Sequence, residues 1–264
     1  SLLHGKHYWS LSPNTRVPHP PSKVPVGFGD DTHYLSSWQR RALRRLLAVP
    51  PEVAQIDDPD AFDFTTLLFL ARERNLRLIS VWHPSFLTLL LDSFVRHREA
   101  VVRSLRLGRL DGAITMPQAV RKALDARLAP EGVRASQLEQ CSLDERDWPS
   151  RIWPHCRVIS CWTEGRAEAW VRDLEERFPR SMIQPKGLLA TEGVVTIPWG
   201  LGGRRVCAGR SHFLEFLHEP DRALVNAWQL EDGHIYSVLL TTAGGLVRYA
   251  LHDRVRVQGH WRDL

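Results

Sequence analysis

No apolar run in the sequence approaches the ~20 residues that a membrane-spanning helix requires. The apolar stretch Leu87-Thr88-Leu89-Leu90-Leu91 is stopped at once by Asp92. A spanning segment is therefore excluded, and no membrane partner is expected. The opening Ser1-Leu-Leu-His-Gly-Lys lacks the apolar core and small-residue cleavage site of a secretory leader, and it starts at Ser rather than Met. We expect an internal piece of a longer product. The four cysteines, Cys141, Cys156, Cys161 and Cys207, form no Cys-x-x-Cys pair, which gives neither a zinc knuckle nor a disulfide scaffold. A reducing cytoplasm is the expected setting. The twelve histidines include no His-Glu-x-x-His or His-x-His cluster, so nothing supports a catalytic zinc, and without a Gly-x-Ser-x-Gly elbow a serine hydrolase is not indicated. Repeats and low-complexity segments are also missing. Although the net charge is +5 and the pI near 9.3, no block of five like charges occurs. Arginines such as Arg40-Arg41 and Arg44-Arg45 are spread at helical spacing, the pattern of a solvated helix face. Nucleic acid is not an expected partner.

What the chain does have is 264 residues, 43% hydrophobic and 25% charged, enough for one large domain or two smaller ones. A short strand at Tyr8-Trp9-Ser10-Leu11 leads into a Pro- and Ser-rich stretch that ends near residue 25. Helices are predicted over 36–48, capped by Ser36 or Ser37, and over 63–74. Leu76-Arg-Leu-Ile-Ser-Val-Trp82 is an apolar, β-branched run that predicts a buried strand, followed by a helix over 86–98 with Ser85 as its cap. The stretch 100–147 is predicted to be mostly helical and carries no chemical motif. A second strand, Arg157-Val-Ile-Ser-Cys-Trp162, is followed by a Gly-containing turn and a helix over 167–178. Beyond Pro179 the segments 181–198, 204–217 and 234–259 are strand-like and separated by Gly, Pro and Asp. The expected fold class is α/β, with mixed sheets flanked by helices and a more β-rich C-terminal third. The expected subdomains are residues 1–180 and 181–264.

The strongest local signal is Lys186-Gly187-Leu188-Leu189-Ala190-Thr191-Glu192-Gly193, an apolar run that passes straight into Thr-Glu-Gly. Alone, this is a weak motif, and an ordinary turn after a strand is the simpler reading. About sixty residues on lies Leu239-Leu-Thr-Thr-Ala-Gly-Gly-Leu-Val-Arg-Tyr249-Ala-Leu-His-Asp253, two strands broken at Gly244-Gly245. Between the two is Arg210-Ser-His-Phe-Leu-Glu-Phe-Leu217. Gly200-Leu-Gly-Gly-Arg-Arg lacks a following Lys-Ser/Thr and is predicted to be a hairpin turn rather than a phosphate cradle.

Together these segments resemble the adenylate-forming superfamily. Within it, Ser-His-Phe-x-Glu-Phe after Thr-Glu-Gly resembles the auxin-responsive Gretchen Hagen family of acyl-acid amido synthetases, in its bacterial form. Tyr8-Trp9-Ser10-Leu11-Ser12-Pro13, Val81-Trp82-His83-Pro84-Ser85-Phe86-Leu87 and Ile159-Ser160-Cys161-Trp162 look like landmarks of the same family. The resemblance implies part of the large N-terminal domain of an adenylate-forming enzyme that uses ATP and Mg2+. A carboxylic acid would be adenylated and its acyl group passed to an amine such as an amino acid. It also implies that Thr191 touches the α-phosphate, that Glu192 holds the metal, and that Asp253 binds the ribose hydroxyls. Leu188 and Gly193 would lie against the nucleotide, Leu188 standing where an aromatic is common. Trp82, Ser85 and Gly165 would line the acyl-acid and nucleotide cleft. For Trp82 a core position, for Ser85 a helix cap, and for Gly165 a positive φ remain the alternatives. Ala250 stands where an arginine is usual and His252 where a glycine is usual. The superfamily's lysine-ending phosphate loop and its mobile C-terminal domain are not found in this sequence. The piece alone is therefore expected to be weakly active or inactive, and a degenerate binding module is the alternative reading.

Overall fold

The computed structural model describes residues 4–10, 36, 43, 45–200 and 203–260. The chain separates into two compact units, Ser1–Ile183 and Gln184–Leu264. No helix among the described residues is long and apolar enough to cross a membrane. Most of the helix expected over 36–48, and Leu11, Ser12 and Pro13, lie outside the described residues.

The first unit is built on strands β1 (Lys6–Trp9), β2 (Leu76–Ser80), β3 (Val158–Cys161) and β4 (Met182–Pro185), whose order in the sheet is their order in the chain. β1 pairs with β2 and β2 with β3 in parallel, with Ile79 facing Tyr8 on one side and Ile159 on the other. Helices make the crossovers. α1 (Pro59–Arg72) precedes β2, while α2 (Pro84–Leu107), α3 (Gln118–Asp125), α4 (Gly132–Gln140) and α5 (Trp148–Ile152) connect β2 to β3. α6 (Glu168–Arg177) connects β3 to β4. This is the mixed α/β arrangement expected, a parallel sheet covered by helices.

α1 begins four residues earlier than its periodicity suggests. The Asp58 carboxylate accepts a hydrogen bond from the Ala61 N–H at 2.8 Å, and Pro59 occupies the first helical position, where its missing N–H costs nothing. Ten of its residues are buried, from Ala61 to Ala71, so it is a core helix without a polar face. α2 differs from expectation at both ends. His83, not Ser85, is the cap: its Nδ1 accepts from the Ser85 N–H at 3.2 Å and lies 2.7 Å from the Ser85 hydroxyl. The helix then runs nine residues past Arg98, because Val101, Val102 and Leu105 continue the buried stripe that Leu87, Leu91 and Phe94 begin. It stops at Gly108, whose φ of 66° only glycine adopts freely and whose added Cβ would fall 2.4 Å from Pro130. Phe94 stacks on Trp148, with ring centroids 5.2 Å apart.

The second unit holds a four-stranded antiparallel sheet of order β10-β9-β7-β8, formed by β7 (Phe213–His218), β8 (Leu224–Asn226), β9 (Ile235–Thr241) and β10 (Tyr249–Arg256). Beside it is the ribbon β5 (Thr196–Trp199) and β6 (Arg204–Cys207). This ribbon places Gly200 and Gly203, both with φ near 70°, in the turn expected there. β9 alternates strictly, Tyr236, Val238 and Leu240 pointing inward to meet Val195, Leu214 and Phe216 in a small core.

Candidate active site

The segment before Thr191 is not the regular strand its apolar composition predicts. Gly187 turns the chain with φ 80°, and the Leu188 N–H is taken by the Thr196 hydroxyl at 2.7 Å. Pairing is reduced to one bridge, Leu189 with Val194. Ala190 and Gly193 then close a two-residue hairpin through reciprocal N–H to carbonyl bonds of 3.0 and 3.3 Å, so that Thr191 and Glu192 form its tip. Leu188 packs against the core of the second unit rather than standing open.

At the tip, the Thr191 hydroxyl donates to Glu192 Oε2 at 2.8 Å. That bond, the backbone N–H of Glu192 and the Tyr249 hydroxyl hold the Glu192 carboxyl below its ordinary pKa, so it stands ionised and accessible to a cation. The residue after it must be small. A Cβ on Gly193 would fall 2.7 Å from the His212 ring and 2.9 Å from Leu240, so glycine is what lets His212 lie against the turn. The Ser211 hydroxyl lies 2.8 Å from the Val194 carbonyl. Ser-His of one motif is thus fitted against Thr-Glu-Gly of the other.

The third motif joins them through an ion pair. Arg248 grips Glu215 with Nε and Nη2, both at 2.9 Å, and Glu215 is only 6% exposed. A bidentate pair of this kind satisfies the buried carboxylate and fixes Arg248 just ahead of Tyr249. Glu215, Arg248, His212 and Tyr249 belong to the sequence motifs, but their tasks emerge only from the fold. The signal for Glu215 was present, an acid set between buried Leu214 and Phe216 in Phe-Leu-Glu-Phe-Leu.

Asp253 lies on β10 beyond Tyr249, where the pairing slips. Ala250 faces Leu239 and Arg254 faces Ser237, so the stretch 251–253 bulges out of the ladder. His252 takes the glycine-like φ of 62° at the centre of this bulge. Asp253 is exposed and its side chain makes no hydrogen bond among the described residues. At ~3.3 Å per residue it lies at most about 13 Å along the strand from Tyr249.

In the first unit the carboxyl ends of the parallel strands carry exposed tryptophans: Trp9 as the last residue of β1, Trp82 after β2 and Trp162 after β3. Trp82 is 41% exposed, so it is not a core aromatic, and its ring centroid lies 5.6 Å from that of Trp162. This edge is where open α/β sheets bind ligands. Ser85 sits in the first turn of α2, bonded to His83. Gly165 opens a short 3-10 turn with φ 60°, and a Cβ there would meet nothing within 4 Å, so the backbone angle is what calls for glycine.

The fold and these motifs define the class, a mixed α/β domain with a β-rich C-terminal part, of the kind seen in acyl acid amido synthetases. Two solved structures match it: "GH3.15 acyl acid amido synthetase", with a TM-score of 0.74 at 22% identity, covering 83% of this chain and 41% of that one; and "AtGH3.15 acyl acid amido synthetase in complex with 2,4-DB", with a TM-score of 0.72 at 20% identity, covering 78% and 38%. Among curated proteins, a "Probable indole-3-acetic acid-amido synthetase GH3.4" of Oryza sativa subsp. japonica is 26% identical over 188 residues, which is 62% of this chain and 29% of that protein. Residues 3–183 match the GH3 family N-terminal domain and residues 206–263 the GH3 family central domain. The chain belongs to the GH3 family. It spans less than half the length of these relatives.

Proposed function

We propose that this chain is the part of an ATP-dependent acyl-acid amido synthetase that handles the nucleotide and the acyl acid. The observation that carries the reading is the hairpin tip, where an ionised Glu192 is held by the Thr191 hydroxyl. Family membership supplies the reaction class. In the first half-reaction a substrate carboxylate attacks the α-phosphorus of ATP and pyrophosphate leaves. In the second an amine, such as that of an amino acid, attacks the acyl carbon and AMP leaves.

Glu192 fits Mg2+ rather than a dedicated protein cage, because no group of three His, Cys, Asp or Glu side chains gathers among the described residues. Magnesium is commonly held by one or two carboxylates, with water and substrate phosphates completing its shell. When bound, it would neutralise phosphate charge. Thr191 would orient a phosphate oxygen, Asp253 would accept from both ribose hydroxyls, and the tryptophan edge with Ser85 and Gly165 would face the acyl acid. A reducing cytoplasm suits four cysteines of which none forms a disulfide.

The test is ATP–pyrophosphate exchange with the longer gene product. Glu192→Gln keeps the shape and one acceptor oxygen for the Thr191 hydroxyl but removes the charge, and exchange should fall roughly 100-fold or more. Unchanged exchange would refute the metal-holding role. Magnesium-independent or absent ATP binding by calorimetry would favour the non-catalytic reading to which Ala250 and His252 point.

A further inference from the structure

A cavity of about 330 Å³ opens in the first unit at the amino edge of its parallel sheet. Arg74 stands two residues before β2 and His155 three residues before β3, so this edge is the one opposite the exposed tryptophans. The polar lining is Arg74, Arg134, Gln137, Arg151 and His155, contributed by the end of α1, α4 and the end of α5. No carboxylate lines it. The stretch that supplies most of it, 100–155, carries no recognisable motif in the sequence.

Arg151 is paired with acids, whereas Arg74 and Arg134 form no salt bridge among the described residues. Arg134 is 5% exposed, and its Nε and Nη2 donate to the carbonyls of Ala71 and Ile152 at 2.6 and 2.9 Å, not to an acid. Burial, and next the neighbouring charge of Arg74, bring its pKa down to about 10 against the opposing pull of Glu131 and Glu73, so it remains a cation at neutral pH. Arg74 has no hydrogen-bond or ion-pair partner among the described residues, and the same is true of the Gln137 and His155 side chains. The acids nearest in sequence are engaged. Glu131 pairs with Arg72 at 2.8 Å, Glu73 accepts from the Asn75 N–H at 2.7 Å, and Glu145 and Asp147 both pair with Arg151.

Exposed Arg74 and buried Arg134, with the exposed donors Gln137, Arg151 and His155 on separate segments around them, suit an anion that accepts from several directions. A carboxylate offers two coplanar oxygens and one charge. A phosphoryl group offers three oxygens in a tetrahedron and close to two charges, which matches Arg74 and Arg134 in number and leaves an oxygen for Gln137 or His155. The cavity exceeds a bare phosphate in volume, and Leu138 and Ile152 supply an apolar wall for the remainder of a small molecule. We propose that this cavity is a binding site for a small phosphoryl-bearing anion, free phosphate or a phosphomonoester.

Arginine-selective labelling with phenylglyoxal, read by peptide mass spectrometry on the intact chain, tests this without a substitution. A site with a Kd of about 1 mM is roughly nine-tenths filled at about 10 mM ligand, so phosphate should slow labelling of Arg74 about tenfold. Sodium chloride at equal ionic strength should not, and exposed Arg180 should label alike in both. Phenyl phosphate protecting at lower concentration than inorganic phosphate identifies an organic ligand; the reverse order identifies the free ion. Equal Arg74 labelling in phosphate and chloride overturns the proposal, as does acetate protecting as well as phosphate.

Discussion

Replacing His252 by glycine should make the chain more stable. His252 holds φ at 62° in the bulge of β10, a conformation that brings an L-residue's Cβ against its own carbonyl at about 1–2 kcal/mol. The side chain is exposed and makes no hydrogen bond among the described residues, so its removal forfeits no contact. Against the relief stands the extra freedom glycine brings to the unfolded chain, about 0.5–1 kcal/mol. The difference leaves a gain of about 0.5–1 kcal/mol for His252→Gly, read as a higher urea midpoint at unchanged slope. His252→Ala is the control, since it keeps the Cβ and therefore the strain. Glycine should unfold later than both histidine and alanine, and a glycine variant less stable than the alanine variant would refute the strain argument.

Arg248 shares the positive φ, 46°, but its substitution should have the opposite sign. Arg248→Ala strands the buried Glu215 carboxylate and should cost about 3–5 kcal/mol in chemical denaturation, most of it recovered by adding Glu215→Leu. Iodoacetamide should label exposed Cys207 first and leave Cys156 untouched while the fold persists, because Cys156 is 2% exposed and its thiol is pushed up to about 11. Asp111, whose carboxyl is held below 3.8 first by the Ala113 N–H and then by Arg103, stabilises the chain when ionised, fully above its ordinary pKa. Melting curves of Asp111→Asn and the parent should therefore differ at pH 7 and converge as the pH drops through the lowered value; a gap that persists in acid would contradict this.

The elements that read well from sequence were those whose signals are local. β2 and β3 announce themselves as β-branched runs between polar turns, and α6 by apolar residues at helical spacing. The far half of α2 did not, because Arg96-His97-Arg98-Glu99 interrupts its apolar face in sequence although Val101 and Leu105 resume it in space. Around Thr191, composition suggested a strand, whereas Gly187 and the Thr196 hydroxyl divert the backbone before a ladder can form. The motif residues of the candidate site could be named in advance. What links them could not, since Glu215 and Arg248 are 33 residues apart and meet only once β7 and β9 have paired. The arginine-lined cavity was invisible for the same reason, being assembled from α4 and the ends of two other helices.

The grip of Arg248 on Glu215 makes one strand into a ruler. Arg248 is clamped at its zero mark, and Asp253 stands a fixed number of residues further along, past the bulge. The interval between Asp253 and the acid that holds Arg248 is thus set by backbone running on from the clamp rather than by a free loop. Inserting or deleting one residue between 249 and 253 would displace one acid from the other by about 3.3 Å and leave both side chains chemically intact.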